Sequence, residues 1–255
     1  MGLMTSHAAL VDTTPRRLPT RAAISHRFVD CGQVTLHVAF AGDEGAFPVV
    51  LLHGYPDAWF GWSGVIDPLV DAGFRVIMPD QRGYNLSEKP DSIASYSLDK
   101  LAGDIDGLAR SLGLDAYGVA GHDWGAAVTW QLGYEPPDGL LGVAVLNVPA
   151  PNVMRRFLRT PRQLRKSWYM AAMQLPGLPE AFALRSDARP FAQAVASSSE
   201  RGAFTPDDLD AYRESWQRPG AMKSMMNWYR AALRHPVRPA DGQKVEIPGL
   251  LLWGE

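Results

Sequence analysis

Residues 117–125 read Tyr117-Gly118-Val119-Ala120-Gly121-His122-Asp123-Trp124-Gly125. A short run of strand character passes directly into a segment with glycine two positions either side of an aspartate. A sharp strand-to-helix turn that lifts one side chain above a sheet demands small residues at those two positions. Serine is the usual occupant of the apex; here it is Asp123. Helix dipoles at such a site are expected to hold a carboxylate ionised. An ionised carboxylate can open a strained ring or displace a halide, forming an ester. Taken alone, the motif also fits an aspartate that merely caps the following helix.

The flanking sequence supplies a sheet for this turn. Arg27 to Phe40 alternates apolar and polar residues around Gly32, as a two-stranded hairpin does. Pro48 to Leu52 is continuously apolar and ends in His53-Gly54, the pattern of a strand buried on both faces. Ala58 to Ala72 reads as a helix and Phe74 to Met78 as the next strand. Leu98, Leu101, Ile105, Leu108 and Leu112 line one face of a helix. Ser97 is expected to cap that helix, Asp99 to favour its first turn and Gly113 to end it. Ala126 to Tyr134 reads as a helix and Leu140 to Val148 as a strand. Alternating strands and helices imply a mainly parallel α/β sheet covered on both faces. Ligands of such sheets sit at the carboxyl ends of the strands, where His53 and Asp123 both fall.

From residue 149 to 239 the pattern changes. Helical stretches rich in Met, Trp and Arg are broken by prolines, with no evident strand, and are expected to form a lid over the catalytic edge. Val245 to Trp253, entered through Pro248, returns to strand character. The expected organisation is a mobile tail over 1–24, a core over 25–148, the helical lid over 149–239 and a return to the core over 240–255. Arg155, Arg156, Arg159, Arg162, Arg165 and Lys166 lie where the lid leaves the core. They read as a solvated helix face or as a guide for an anionic substrate or partner.

Composition narrows the function classes. The chain has 255 residues, 46% hydrophobic and 20% charged, with a net charge of -2. That is globular composition without a global basic field for nucleic acid or an anionic membrane. One cysteine, Cys31, excludes an internal disulfide framework, reads as a packing residue and fits a reducing compartment. No apolar run is long enough to span a bilayer, and a cytoplasmic location is expected. The start Met1-Gly2 with Ser6 matches a loose myristoylation pattern that is often accidental. No cluster has metal-ligand spacing, so no metal or cofactor is expected.

Leu52-His53-Gly54-Tyr55-Pro56, Asp80-Gln81-Arg82-Gly83-Tyr84 and Gly121-His122-Asp123-Trp124-Gly125, in this order, resemble the epoxide hydrolase and haloalkane dehalogenase branch of the α/β-hydrolase fold. The resemblance runs from about residue 27 to the end. It implies that Asp123 attacks the substrate and that a His–acid pair then activates water against the ester. Backbone N–H groups of Tyr55 and Trp124 would form an oxyanion hole. His53, Pro56 and Trp228 are expected to line the substrate pocket.

The lid separates the branches. Tyr169 to Gly177, with Tyr169 five residues before Gln174 and its following Pro176-Gly177, resembles the first lid segment of epoxide hydrolases. Asn227-Trp228-Tyr229-Arg230 resembles the second. In that family two phenols bind the epoxide oxygen and stabilise the developing alkoxide. The implied reaction converts a small hydrophobic epoxide and water to a vicinal diol, with Tyr169 and Tyr229 as the donors. A dehalogenase usually has a polar residue where Tyr55 stands. A fluoroacetate dehalogenase uses arginines after the nucleophile, where this chain has Trp124 and an apolar stretch. A degenerate fold that only binds a ligand is the non-enzymatic alternative, and oligomeric state is open.

The resemblance places the charge-relay acid just past the last strand and the base histidine further on, so a C-terminal segment is expected to be missing. Some relatives take the acid from the preceding strand end, but Leu146-Asn147-Val148-Pro149 has no carboxylate. Of the six histidines, His7, His26 and His37 precede the core motifs, His53 and His122 belong to the loop and elbow, and His235 follows the lid. None stands at the expected position of the base, and ester hydrolysis is expected to be impaired.

Overall fold

The computed structural model describes residues 20–157, 160, 165, 168–237, 239–240 and 242–254. The sheet begins with the antiparallel hairpin β1 (Ser25–Asp30) and β2 (Thr35–Ala41). Its turn is fixed locally: Asp30 Oδ1 accepts from the Gly32 N–H at 2.8 Å, and Gly32 takes the positive φ of 88° that glycine tolerates. β3 (Phe47–Leu52), β4 (Phe74–Pro79), β5 (Tyr117–His122), β6 (Leu140–Leu146) and β7 (Gly249–Leu252) complete seven strands in the order β1-β2-β4-β3-β5-β6-β7. From β4 to β7 all neighbours are parallel. The apolar runs read from the sequence are these strands, and Val50, Leu51, Leu52, Val76, Ile77 and Met78 are buried.

The order decides where the site lies. From β3 the chain crosses to β4 on one side, then returns to β5 on the other. The loops after β3 and β5 therefore part in opposite directions and leave a crevice between adjacent strand ends. Leu52 pairs with Gly121, so His53-Gly54-Tyr55 and His122-Asp123 leave the sheet at the same level.

Helices α1 (Ser63–Asp71), α2 (Leu98–Ser111) and α3 (Trp124–Tyr134) belong to this core. The helix expected over 58–72 is divided, its first part being a 3-10 turn at Trp59–Trp62. Ser97 stands at the N-cap of α2 but does not cap with its side chain; its hydroxyl donates to the Ala94 carbonyl at 3.2 Å. Gly113 ends α2 as expected, with φ 64°. Its N–H donates to Arg110 O, and that of Leu114 to Ala109 O, satisfying two terminal carbonyls.

Between β6 and β7 the described residues form α4 (Pro151–Phe157), α5 (Trp168–Ala172), α6 (Leu178–Leu184), α7 (Arg189–Ser197), α8 (Pro206–Gln217) and α9 (Ala221–Arg234). Thr205 begins α8 with a full capping box to Asp208. α9 buries Met222, Met225, Met226 and Trp228, so its methionines are packing residues. Of the basic run, Arg159, Arg162 and Lys166 lie outside the described residues; Arg156 and Arg165 are exposed.

Two strand ends are shorter than the sequence suggested. β6 stops at Leu146 because Asn147 turns the chain with φ 61°; its side chain accepts from the Gly254 N–H at 2.8 Å. β7 starts only at Gly249. Pro248 has no N–H for the ladder, although its carbonyl accepts from Val143 at 3.0 Å. Cys31 is buried, and desolvation pushes its thiol up to about 12, as befits an inert packing residue. No described helix is long and apolar enough to cross a membrane.

The tail expected over 1–24 includes five described residues, 20–24, and the first of these are tied down; residues 1–19 lie outside the described set. Asp67 on α1 accepts from Thr20 Oγ1 at 2.7 Å and from the backbone N–H of Arg21 and Ala22. These bonds, Thr20 first, lower its pKa to about 2. A depressed carboxyl pKa gives a contribution that is complete above the unfolded value, about 3.9, and is lost as pH falls toward the folded one. We predict that the Arg21 and Ala22 amides stay docked at pH 5 and are released as Asp67 protonates. An NMR titration reads this, and Asp67→Asn should release them already at neutral pH.

Candidate active site

Asp123 is the N-cap of α3 and holds φ 51° and ψ -120°. This region is costly for a residue with a Cβ, on the order of 1–3 kcal/mol. Three glycines make the conformation possible. A Cβ on Gly121 would lie 2.3 Å from the Gly125 carbonyl oxygen, one on Gly125 would lie 2.0 Å from that of Leu52, and one on Gly54 would lie 2.3 Å from the Asp123 Cβ. The spacing read from the sequence is thus enforced by backbone-to-backbone contact. Gly54, whose part was not foreseen, brings the β3 loop against the aspartate itself.

The Tyr55 N–H donates to Asp123 Oδ1 at 2.8 Å. The N–H of Trp124 also acts on this carboxyl, and both bonds favour its ionised form. Burial outweighs them, and the Asp123 carboxyl sits above the usual carboxylate range. The two backbone donors act in the direction expected of the helix terminus, favouring the carboxylate, while burial acts against it. Oδ1 is thus the oxygen that the Tyr55 N–H holds.

The two tyrosines expected from the lid meet here. Tyr229 packs edge-on against Tyr55 at 5.3 Å and against Trp124 at 5.0 Å between ring centroids, and Tyr169 lies 6.1 Å from Tyr229. Tyr229 is buried, whereas Tyr169 is 41% exposed, which leaves the space open on its side. Neither hydroxyl hydrogen-bonds a described residue. Burial and then the charge of Asp123 raise both phenols above their ordinary pKa, so both are donors at neutral pH.

The residues assigned to the pocket divide differently. His53 is 1% exposed and has both ring nitrogens engaged, Nε2 by the Gln81 N–H at 3.1 Å and Nδ1 by the Gly54 carbonyl at 3.0 Å. It shapes the loop and does not line the pocket. Trp228 is fully buried, donates to the Arg82 carbonyl at 3.0 Å and packs edge-on to Tyr84 and Trp124; it anchors α9 beneath Tyr229. Pro56 follows a cis peptide bond, and its carbonyl accepts from Trp216 on α8.

The Asp80-Gln81-Arg82-Gly83-Tyr84 motif is scaffold. Asp80 binds His37 Nδ1 at 2.7 Å and the Trp59 N–H at 3.1 Å; Gln81 holds His53; Arg82 pairs with buried Asp104 on α2. His37–Asp80 is the only histidine–carboxylate ion pair among the described residues, and it lies within this scaffold.

Sequence reading missed Arg230 and Gln174 as the tie between the two tyrosine segments. Arg230 Nε donates to Met173 O at 3.0 Å and Nη2 to Leu175 O at 2.6 Å, while Gln174 Nε2 donates to Tyr229 O at 3.1 Å. The available signal was an arginine directly after Tyr229 and the Gln174-Leu175-Pro176-Gly177 turn after Tyr169.

The chain matches the family model described as alpha/beta hydrolase fold over residues 48–250. It is 43% identical to the AB hydrolase superfamily protein YfhM of Bacillus subtilis, covering 89% of this chain and 80% of that protein. It is 33% identical to Epoxide hydrolase 1 of Caenorhabditis elegans over 89% of this chain, and spans 57% of that relative's length. Among solved structures, epoxide hydrolase VrEH1 from Vigna radiata superposes with a TM-score of 0.76 at 28% identity, covering 91% of this chain and 80% of that one.

The glycine contacts give a direct stability test. Gly125→Ala should cost about 3 kcal/mol or more, because backbone atoms cannot yield as side chains do. Gly103→Ala on the open face of α2 meets nothing within 4 Å and should gain up to about 1 kcal/mol. Urea denaturation of the two variants checks both signs.

Proposed function

The chain belongs to the α/β-hydrolase fold family, in its epoxide-hydrolase-like part, and on that premise we propose that it opens a small hydrophobic epoxide through an ester on Asp123. The observation that carries the reading is the Asp123 carboxyl with one oxygen held by the Tyr55 N–H, beside two protonated phenols. Helices α4–α9 act as the lid that carries those phenols.

In the first step Asp123 Oδ2 attacks a ring carbon. A new C–O bond forms as the ring C–O bond breaks, and the electron pair goes to the former epoxide oxygen. Tyr169 and Tyr229 donate hydrogen bonds to that oxygen, and one supplies the proton. In the second step water adds to the ester carbonyl. The negative charge then develops on Asp123 Oδ1, which already accepts from the Tyr55 N–H, with the Trp124 N–H as the second donor to this carboxyl. Collapse breaks the Cγ–Oδ2 bond, so the diol leaves with Oδ2 and the oxygen of water takes its place. Of water's two protons, one goes to the departing oxygen and one restores the phenol that gave up its own, leaving the carboxylate.

The second step needs a general base. Among the described residues no histidine–carboxylate pair faces Asp123: His53 is locked in its loop and His37 is committed to Asp80. We therefore propose that this chain alkylates faster than it hydrolyses, since base catalysis is worth roughly 10²–10⁴-fold.

Incubation of the folded chain with excess styrene oxide should yield a persistent gain of one epoxide mass. In single-turnover experiments Tyr169→Phe and Tyr229→Phe should each slow that gain on the order of 10²-fold, the cost of losing one donor to a developing oxyanion. Adduct formation at an undiminished rate in the Tyr169→Phe/Tyr229→Phe double variant contradicts the reading. The rate should also fall on the acid side with a midpoint above the usual carboxylate value, because attack needs the ionised form of a carboxyl that burial makes less acidic. A midpoint at or below the usual value would contradict that assignment.

A further inference from the structure

A cavity of about 460 Å³ has Asp91, Glu180, Lys223, Asn227, Arg230 and Arg234 in its walls, and Asp123 is not among the residues that line it. Its inner wall is built by one guanidinium. Buried Arg230 Nη1 donates to Asn227 Oδ1 at 3.1 Å and to Glu180 Oε1 at 2.7 Å. Because Arg230 can only donate, this bond fixes which end of the Asn227 amide is oxygen. The same arrangement leaves the other halves of both groups over. Asn227 Nδ2 and Glu180 Oε2 are buried with no hydrogen-bond partner, and Asn227 is 1% exposed. A donor and an acceptor thus stand unmet on residues that share a cavity and a cation. Such buried groups are costly unless something completes them.

A hydroxyl both accepts and donates, so it has the two functions left over on Asn227 Nδ2 and Glu180 Oε2. The cavity also carries two further cations. Lys223 is 54% exposed and pairs only with Asp91, itself 99% exposed, while Arg234 is exposed and has no carboxylate partner among the described residues. An ion pair so open to water binds weakly and yields readily to a competing anion. We propose that this cavity is a binding site for a small hydroxylated carboxylate, its hydroxyl between Asn227 and Glu180 and its carboxylate on Lys223 and Arg234. The proposal is independent of the role of Asp123. Arg230 also holds the Met173 and Leu175 carbonyls, so an occupant would rest on the segment that follows Tyr169.

The test is binding, measured by calorimetry and ligand-observed NMR on the whole chain with glycerate and with propionate, its counterpart without hydroxyls. Glycerate should bind about tenfold more tightly, the worth of hydrogen bonds to groups otherwise left unpaired. Lys223→Ala with Arg234→Ala, both at the exposed rim, should weaken glycerate about tenfold with the melting temperature little changed. Asn227→Asp, which replaces the donor by an acceptor, should abolish the preference for glycerate. Equal affinity of the two acids, or no glycerate binding at millimolar concentration, would mean that water alone completes Asn227 and Glu180 and would overturn the proposal. Glycerate binding indifferent to the rim substitutions would overturn it as well.

Discussion

The structure depends on one steric constraint: backbone meeting backbone where β5 turns into α3. Gly125 touches the end of β3, Gly121 touches Gly125, and Gly54 touches Asp123. These contacts force Asp123 into a conformation it would not choose and bring its carboxyl under the Tyr55 N–H. Strain of this kind persists only where the surroundings over-determine it. The parallel pairing of β3 and β5 sets the level at which the two loops leave the sheet, and so gives the constraint its geometry.

Around this point polar side chains serve position before chemistry. Gln81 fixes His53, His53 fixes the loop, and the Arg82 carbonyl receives the indole of Trp228, which seats α9. Arg230 and Gln174 then join α9 to the segment carrying Tyr169. Tyr229 and Tyr169 are thus held by a chain of buried donors running back to the sheet. The phenols are the ends of that chain left without described partners, beside the strained carboxyl.

Sheet and elbow were legible because they obey short-range rules. Buried parallel strands read as apolar runs, and the glycine spacing follows from the tight turn at Asp123 between β5 and α3. Tyr169 and Tyr229 were legible only through resemblance, since an aromatic in a methionine-rich helix otherwise reads as core. What escaped the sequence was long-range or directional. His53 and Trp228 stand at positions adjacent to the site, yet hydrogen bonds to Gln81 and Arg82 turn them into scaffold. The acidity of Asp123 depends on its burial in the folded chain, which acts against the local backbone donors. The missing N–H of Pro248 and the turn at Asn147 trimmed two strands by local rules that a hydropathy pattern does not carry.

The central claim is the proposal that Asp123 is the nucleophile that forms an ester with an epoxide, and site localisation tests it most directly. After exposure to styrene oxide, the adduct should map by fragment-ion mass spectrometry to Asp123 and to no other carboxyl, and Asp123→Asn should carry none. An adduct on Cys31, on a histidine or on a surface carboxylate, with Asp123 unmodified, would contradict the account.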